Sequence, residues 1–293
     1  MGLSYRMSTY SDAAWIIAKI TGNSRTSGPW RRMTEPASGA TEQQEQGSMK
    51  LAVIGGTGAL DLFVASSGAS LTTPFGAPSD RPRKVAIGER EIWFLARHGN
   101  PHRIPPHKVN YRANIHALKI LGVDSVLAVN AVGGISPDLR AGSLLVPDQL
   151  IDHTWGRAHT FSDGGSAPLR HVDFTNPFAG PLRAAVLAAA DRAGLEVTED
   201  GCIAVTQGPR LETAMEVARL AAEGCAAVGM TSMPEAALAR EAGIDYASLC
   251  IVANAGAGLE QGPITEQDIH RVLQAAMERV QKMIVQLVQD IPV

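Results

Sequence analysis

The chain has little of what would mark a secreted, metal-bound, nucleic-acid-binding or membrane protein. Only three cysteines occur, Cys202, Cys225 and Cys250, an odd count with no C-x-x-C spacing. Neither a disulfide framework nor a zinc site is expected, and the three read as reduced thiols of a cytoplasmic protein. No charge is in excess: 26 Lys and Arg stand against 29 Asp and Glu, a net of −3. A polyanion has nothing to grip, so nucleic acid is not expected as a partner. No apolar run approaches the ~20 residues of a membrane span, so no membrane partner is expected and the protein reads as soluble. There is no H-E-x-x-H. His98 and His102 stand four apart, but Pro101, Pro105 and Pro106 argue against the helix that would align them, so no metal is expected. The G-x-S-x-G elbow of serine hydrolases and the Gly-Lys pair of P-loop proteins are also missing.

What is there is an apolar content of 45% over 293 residues, enough for a substantial core. Residues 1–48 are rich in Ser, Thr, Gly and Pro and read as a disordered N-terminal extension, with 49–293 as the folded domain. Arg25, Arg31 and Arg32 leave an organelle-targeting reading open. Met49, directly before the first strand, favours an over-extended start instead.

Four apolar residues from Leu51 to Ile54 read as a buried strand, and the Gly55-Gly-Thr-Gly58 turn after it lets backbone amides approach an anion, with the Thr57 hydroxyl as a further donor. A tight turn with no ligand is the plain alternative. Residues 84–87 and 92–95 read as a hairpin that delivers Arg97 and His98 to a strand end. Arg97 suits phosphate and His98 can add a donor; a surface ion pair and a structural histidine are the alternatives.

Residues 109–121 have helical spacing, and 125–130 read as a buried strand followed by a second glycine turn over 131–134. A short strand follows near 144–147, and 153–177 is a long polar stretch of the kind that is functional or covers an interface. Helices are expected at 182–193 and 214–222, after Met233, and over 264–288; strands at 201–206, 226–230 and 246–252. Glu212 falls at a strand-to-helix junction, as a helix N-terminal partner or a ligand contact. The alternation gives an α/β single domain with a mixed, largely parallel central sheet flanked by helices.

Together, Ile54-Gly-Gly-Thr-Gly58, Ala96-Arg-His-Gly99, Val109-Asn-Tyr111, Gly208-Pro-Arg210, Met230-Thr231 with Pro234-Glu235, and His171 ahead of Pro177-Phe178 resemble the methylthioadenosine and methylthioinosine phosphorylase branch of the trimeric purine nucleoside phosphorylases. The resemblance runs from about residue 50 to the C-terminus. It implies phosphorolysis of a purine nucleoside to free base and ribose 1-phosphate, with phosphate as co-substrate, no cofactor, and a homotrimer. By position, Thr57, Arg97, His98, Asn130, Ala131 through its backbone, and Thr231 would hold phosphate. Met230 would line the ribose, and Ile269 and Val272 would surround the 5′ group with His171 from a neighbouring subunit. The resemblance puts Asn254, Glu212 and His98 in the catalytic roles and Leu211 beside the base. Asn130 departs from the threonine that the methylthioadenosine enzymes carry there, yet can still donate.

The base contacts depart further. The methylthioadenosine enzymes resemble this chain with aspartates at the positions of Asn254 and Gly256 and serine at that of Glu212, whereas Glu212 with Asn254 is similar to the inosine and guanosine enzymes. Chemistry points the same way. A 6-oxopurine has a hydrogen on N1 and an acceptor at O6, so an ionised Glu212 accepts from N1–H and Asn254 donates to O6 or N7 as charge builds on the leaving base. Two mismatched polar contacts would disfavour adenine by around 10² or more. Ile269 and Val272, three apart on a helix, could cover a methylthio tail or simply pack in the core. The pattern therefore implies methylthioinosine, with inosine and guanosine, then methylthioadenosine, as alternatives.

Three rival classes remain in view. A dinucleotide-binding fold fails because Ala59, Leu60 and Asp61 stand where its third glycine should fall. A water-using nucleosidase would leave Arg97 without a task. A non-catalytic nucleoside sensor would bind purine and release no base.

Overall fold

The computed structural model describes residues 49–56, 68–164 and 169–291. The proposed extension 1–48 and the phosphate candidate Thr57 lie outside the described residues.

Among the described residues, nine strands form one mixed sheet. Strand β1 (Leu51–Gly55), buried throughout, lies between β3 (Arg90–Ala96) and β4 (Ser125–Gly134), parallel to both, and β2 (Arg83–Ile87) closes that edge antiparallel to β3. Full burial on both faces explains why these strands read as unbroken apolar runs. Register then does the positioning. Gly55 pairs with Ala96 and with Val129, so Gly56, Arg97 and Asn130 leave three neighbouring strands at one level.

Strand β4 carries the sheet's two halves. It pairs in parallel with β9 (Asp245–Ala255) along its length, and beyond a bulge at Val132/Gly133 it also pairs antiparallel with β8 (Cys225–Gly229). From there β7 (Cys202–Val205) and β6 (Gln149–Asp152) continue in parallel, while β5 (Leu144–Leu145) pairs with β9. The second glycine turn expected over 131–134 is thus strand. Gly133 and Gly134 are small because neighbours come close: a Cβ on Gly134 would lie 2.1 Å from the Leu139 carbonyl oxygen. Strand β6 has no counterpart among the expected elements, because its half-buried Gln149–Asp152 segment lacks an apolar run.

Helices α1 (Tyr111–Ile120) and α4 (Ser232–Glu241) pack with one buried cluster against the sheet, and α2 (Pro181–Arg192) and α5 (Glu266–Asp290) with the other. Helix α3 (Ala214–Ala222) joins a third cluster with β7 and β8. Local signals set the starts. The Asn110 side chain caps α1, Thr265 caps α5, and Thr213 with Glu216 forms a capping box on α3. Along α5, Leu273, Met277, Val280, Ile284, Leu287 and Val288 are buried, a stripe at helical spacing. Among the described residues no helix is long and apolar enough to cross a membrane.

Candidate active site

The ends of β1, β3, β4, β7, β8 and β9 converge on a cavity of about 230 Å³. Gly56, Arg97, His98, Ala131 and Thr231 line one end of it; Glu212 and Asn254 line it where it meets an adjoining hollow that they also line, and Met230 and Ile269 complete its wall.

Arg97 is 1% exposed. Its Nε and Nη2 donate to the two oxygens of Glu235 at 2.8 and 2.7 Å, and Nη1 donates to the Val129 carbonyl at 3.1 Å. Glu235 also accepts from the Tyr246 hydroxyl at 2.9 Å and is wholly buried. Burial opposes the guanidinium charge, but the Glu235 carboxylate outweighs it and holds the pKa above the ordinary arginine value. Three of the five N–H groups are spent, which leaves two for an anion. Arg97 is not the surface ion pair that its sequence context allowed.

His98 corrects an expectation. Its Nδ1 lies 2.7 Å from the Ile104 carbonyl oxygen, which can only accept, so Nδ1 carries the hydrogen. Burial, and then the charge of Arg97, push the pKa down to about 4, so the ring is neutral at neutral pH. Nε2 is therefore an acceptor, not the added donor, and it matches a protonated phosphate oxygen. A Cβ on Gly56 would lie 3.8 Å from both His98 Nε2 and Arg97 Nη1, so both groups face that glycine. His102 stacks on the His98 ring at 4.5 Å.

Asn130 does not line the cavity. Its Nδ2 donates to Ser248 Oγ at 2.7 Å, and its Oδ1 accepts from Thr231 Oγ1 at 2.9 Å. The expected amide donor is turned inward, because Ser248 on the adjacent strand captures it. Thr231 lines the cavity just ahead of α4, whose regular turns begin only after the non-helical Met233, so its place there comes from the Asn130 bond and not from a helix dipole.

At the other end, Glu212 accepts from Thr206 Oγ1 at 2.6 Å through Oε1. Asn254, opposite Gly133 in the ladder, donates from Nδ2 to the Ala255 carbonyl at 2.7 Å. Gly208 has φ +59°, and a Cβ there would lie 2.4 Å from Met230 Sδ, so a side chain at 208 would displace Met230. Leu211, 41% exposed, lines both this cavity and an adjoining hollow that also contains Val272. His171 is exposed and lies outside the cavity of its own chain.

Arg157 gave no sequence signal beyond its place in the long polar stretch. Its Nε donates to Gln207 Oε1 at 3.1 Å, Nη2 to the Thr206 and Gln207 carbonyls, and Nη1 to those of Met230 and Met233. One cation thus ties the loop after β7 to the start of α4. Glu235, Ser248 and Thr206 were also missed as site-building groups, since their contacts are long-range. Among the described residues, no group of three or more His, Cys, Asp or Glu side chains is placed to hold a metal ion.

Comparison with known proteins gives the same frame. A family model described as "Phosphorylase superfamily" matches residues 50–289. A probable S-methyl-5'-thioinosine phosphorylase of Pseudomonas syringae is 48% identical over 78% of this chain and 94% of its own. The 6-oxopurine nucleoside phosphorylase of Pyrococcus furiosus is 40% identical over 83% of this chain and 93% of its own. Among solved structures, the methylthioadenosine phosphorylase of Schistosoma mansoni in complex with adenine superposes with a TM-score of 0.78 at 33% identity, over 82% of this chain and 91% of that one. With a match that runs from β1 into the last turns of α5, this chain belongs to the phosphorylase superfamily.

Proposed function

We propose that the protein cleaves 6-oxopurine nucleosides by phosphorolysis, with S-methyl-5'-thioinosine giving hypoxanthine and 5-methylthioribose 1-phosphate. The observation that carries this reading is that Glu212 and Asn254 line one cavity whose other end holds Arg97, His98 and Thr231. Phosphate held by the two free N–H groups of Arg97, by Thr57 and by Thr231 sits below C1′. His98 Nε2 accepts its remaining proton, and Asn130 acts by fixing Thr231. The C1′–N9 bond breaks as electrons move to the purine. Glu212 accepts from N1–H and holds the base in register, and Asn254 donates to N7 or O6, a contact that strengthens as the base becomes anionic; the proton that phosphate gives up as its ester forms balances the one the base takes up to become hypoxanthine. Phosphate oxygen then bonds to C1′.

Ile269 lines the cavity and Val272 the hollow beside it, which suits an apolar 5′ substituent. A second reading, general inosine and guanosine phosphorolysis, is favoured by Val272, which lines the adjoining hollow and not the cavity that Ile269 lines. Both readings fit a homotrimer in which His171 closes a neighbour's site. Trp155 at 72% and Leu169 at 71% exposure supply apolar surface for such an interface. Phosphate is the sole co-substrate and no cofactor is needed. Residues 1–48 form an extension to a catalytic domain over 49–293, and the unbridged cysteines suit the cytoplasm.

Base release measured on methylthioinosine, methylthioadenosine, inosine and guanosine, each with and without phosphate, tests the proposal. The first substrate should lead and turnover should require phosphate. Phosphate-independent release would assign a nucleosidase, and purine binding with no release a sensor.

A further inference from the structure

We propose that Thr206 makes the cavity select hypoxanthine over guanine by leaving Glu212 one free carboxylate oxygen for the base; this rests on the 6-oxopurine reading above. Thr206 follows β7 and is held on three sides. Its N–H donates to the Gly229 carbonyl at 2.8 Å, its carbonyl accepts from Arg157 Nη2 at 3.2 Å, and its hydroxyl donates to Glu212 Oε1 at 2.6 Å. The backbone bonds fix where that hydroxyl sits. A charge-assisted bond of this length then fixes the carboxylate. Oε2 accepts no hydrogen bond among the described residues, and Glu212 lines the cavity.

The two 6-oxopurines differ at C2. Hypoxanthine carries a C–H there and presents one donor, N1–H, which Oε2 alone satisfies. Guanine presents N1–H and a 2-amino N–H side by side, a pair that a carboxylate matches with both oxygens at once. Guanine must therefore share Oε1 with Thr206 or turn the carboxylate and break the Thr206 bond. If the carboxylate turns away, the Thr206 hydroxyl has among the described residues only one other acceptor, the Gly229 carbonyl at 3.4 Å, a poorer partner than the one it loses. Thr206 is thus a positioning residue that acts through Glu212, and the discriminated group is the purine 2-amino substituent.

The test measures kcat/KM on the 5′-methylthio nucleosides of hypoxanthine and guanine at saturating phosphate, in the full-length protein and in Thr206→Val and Thr206→Ser. The unaltered protein should prefer hypoxanthine by about tenfold or more; Thr206→Val should reduce that ratio about tenfold, and Thr206→Ser, which keeps the hydroxyl, should preserve it. A ratio unmoved by Thr206→Val, or moved equally by Thr206→Ser, overturns the proposal. Should Thr206→Val fail to fold, competitive inhibition of the unaltered protein by free hypoxanthine and free guanine decides, and guanine binding as tightly as hypoxanthine overturns it. Cleavage of adenine nucleosides with no turnover of either 6-oxopurine is a different outcome, which removes the parent reading and this one with it.

Discussion

The two ends of the cavity are built differently. At the end proposed for phosphate the groups are buried and braced: Arg97 is 1% exposed, Glu235 0% and Asn130 3%, and each is hydrogen-bonded to other parts of the fold, with two N–H groups of Arg97 left over. At the base end Glu212 and Asn254 are only half-buried, stand at a loop and at a strand's last turn, and each makes one side-chain hydrogen bond. On the proposed roles, the first end meets an anion of fixed shape and charge and can be rigid. The second separates bases that differ by one or two hydrogens, so few anchors leave it open to change by single substitutions without loss of the fold.

Arg97→Met should break the contrast most strongly. It removes both free N–H donors and strands the buried Glu235 carboxylate. A fall in kcat/KM for phosphate of about 10³ and a stability loss of about 3–5 kcal/mol are expected together. Steady-state kinetics at varied phosphate with thermal melts would show it; loss of activity at an unchanged melting temperature would mean the ion pair is not a stabilising element.

His98 gives the next largest effect, through pH. Its folded pKa of about 4 lies below the ordinary 6.5 because burial and Arg97 disfavour the charged ring. The unfolded chain therefore takes up a proton that the folded chain refuses, and stability rises with pH across that window. The contribution is complete above about pH 6.5 and is lost as pH falls to about 4, on the order of 3 kcal/mol. As pH is lowered from 7 to 4, melting temperatures should fall more steeply in the unaltered protein than in His98→Asn, and parallel curves would contradict the assignment.

Asn254→Asp sharpens the opposite end. Exchanging an amide donor for a carboxylate acceptor should move the adenine to hypoxanthine ratio of kcat/KM upward by about tenfold, with the phosphate KM unmoved. A change in phosphate KM and none in base ratio would misplace Asn254. The smallest effect is expected for Asn130→Ala, which frees Thr231. The phosphate KM should rise several-fold, about 1 kcal/mol, while base preference stays constant. If base preference moved instead, Asn130 would belong to the other end.

The sequence made legible whatever depends on neighbouring residues. The apolar runs of β1, β4 and β9 and the helical stretches of α1, α3 and α5 are local signals, and those elements lie within a few residues of where they were expected. The misreadings share a cause, partners that no local pattern announces, most of them distant in sequence. Gly133 and Gly134 look like a turn until β9 and β8 pair with them. His98 looks like a donor until the Ile104 carbonyl fixes its tautomer, and Asn130 looks free until Ser248 takes its amide. Arg157 could not be told from any arginine in a polar loop, because its acceptors are carbonyls of Thr206, Gln207, Met230 and Met233. Motif residues marked where the cavity lies; the direction in which each side chain faces came only with the fold.

The pairing of β4 has a mechanical consequence. Bonded to β1 and β9 along its flanks and to β8 past its bulge, it has no free edge at which the two ends of the cavity could part. The molecule cannot open like a clamshell along that seam, and the β4 amides should exchange with solvent only through global unfolding. Leu211 and Ile264, outside that seam, line both the cavity and the adjoining hollow, so changes there can alter the cavity without disturbing β4.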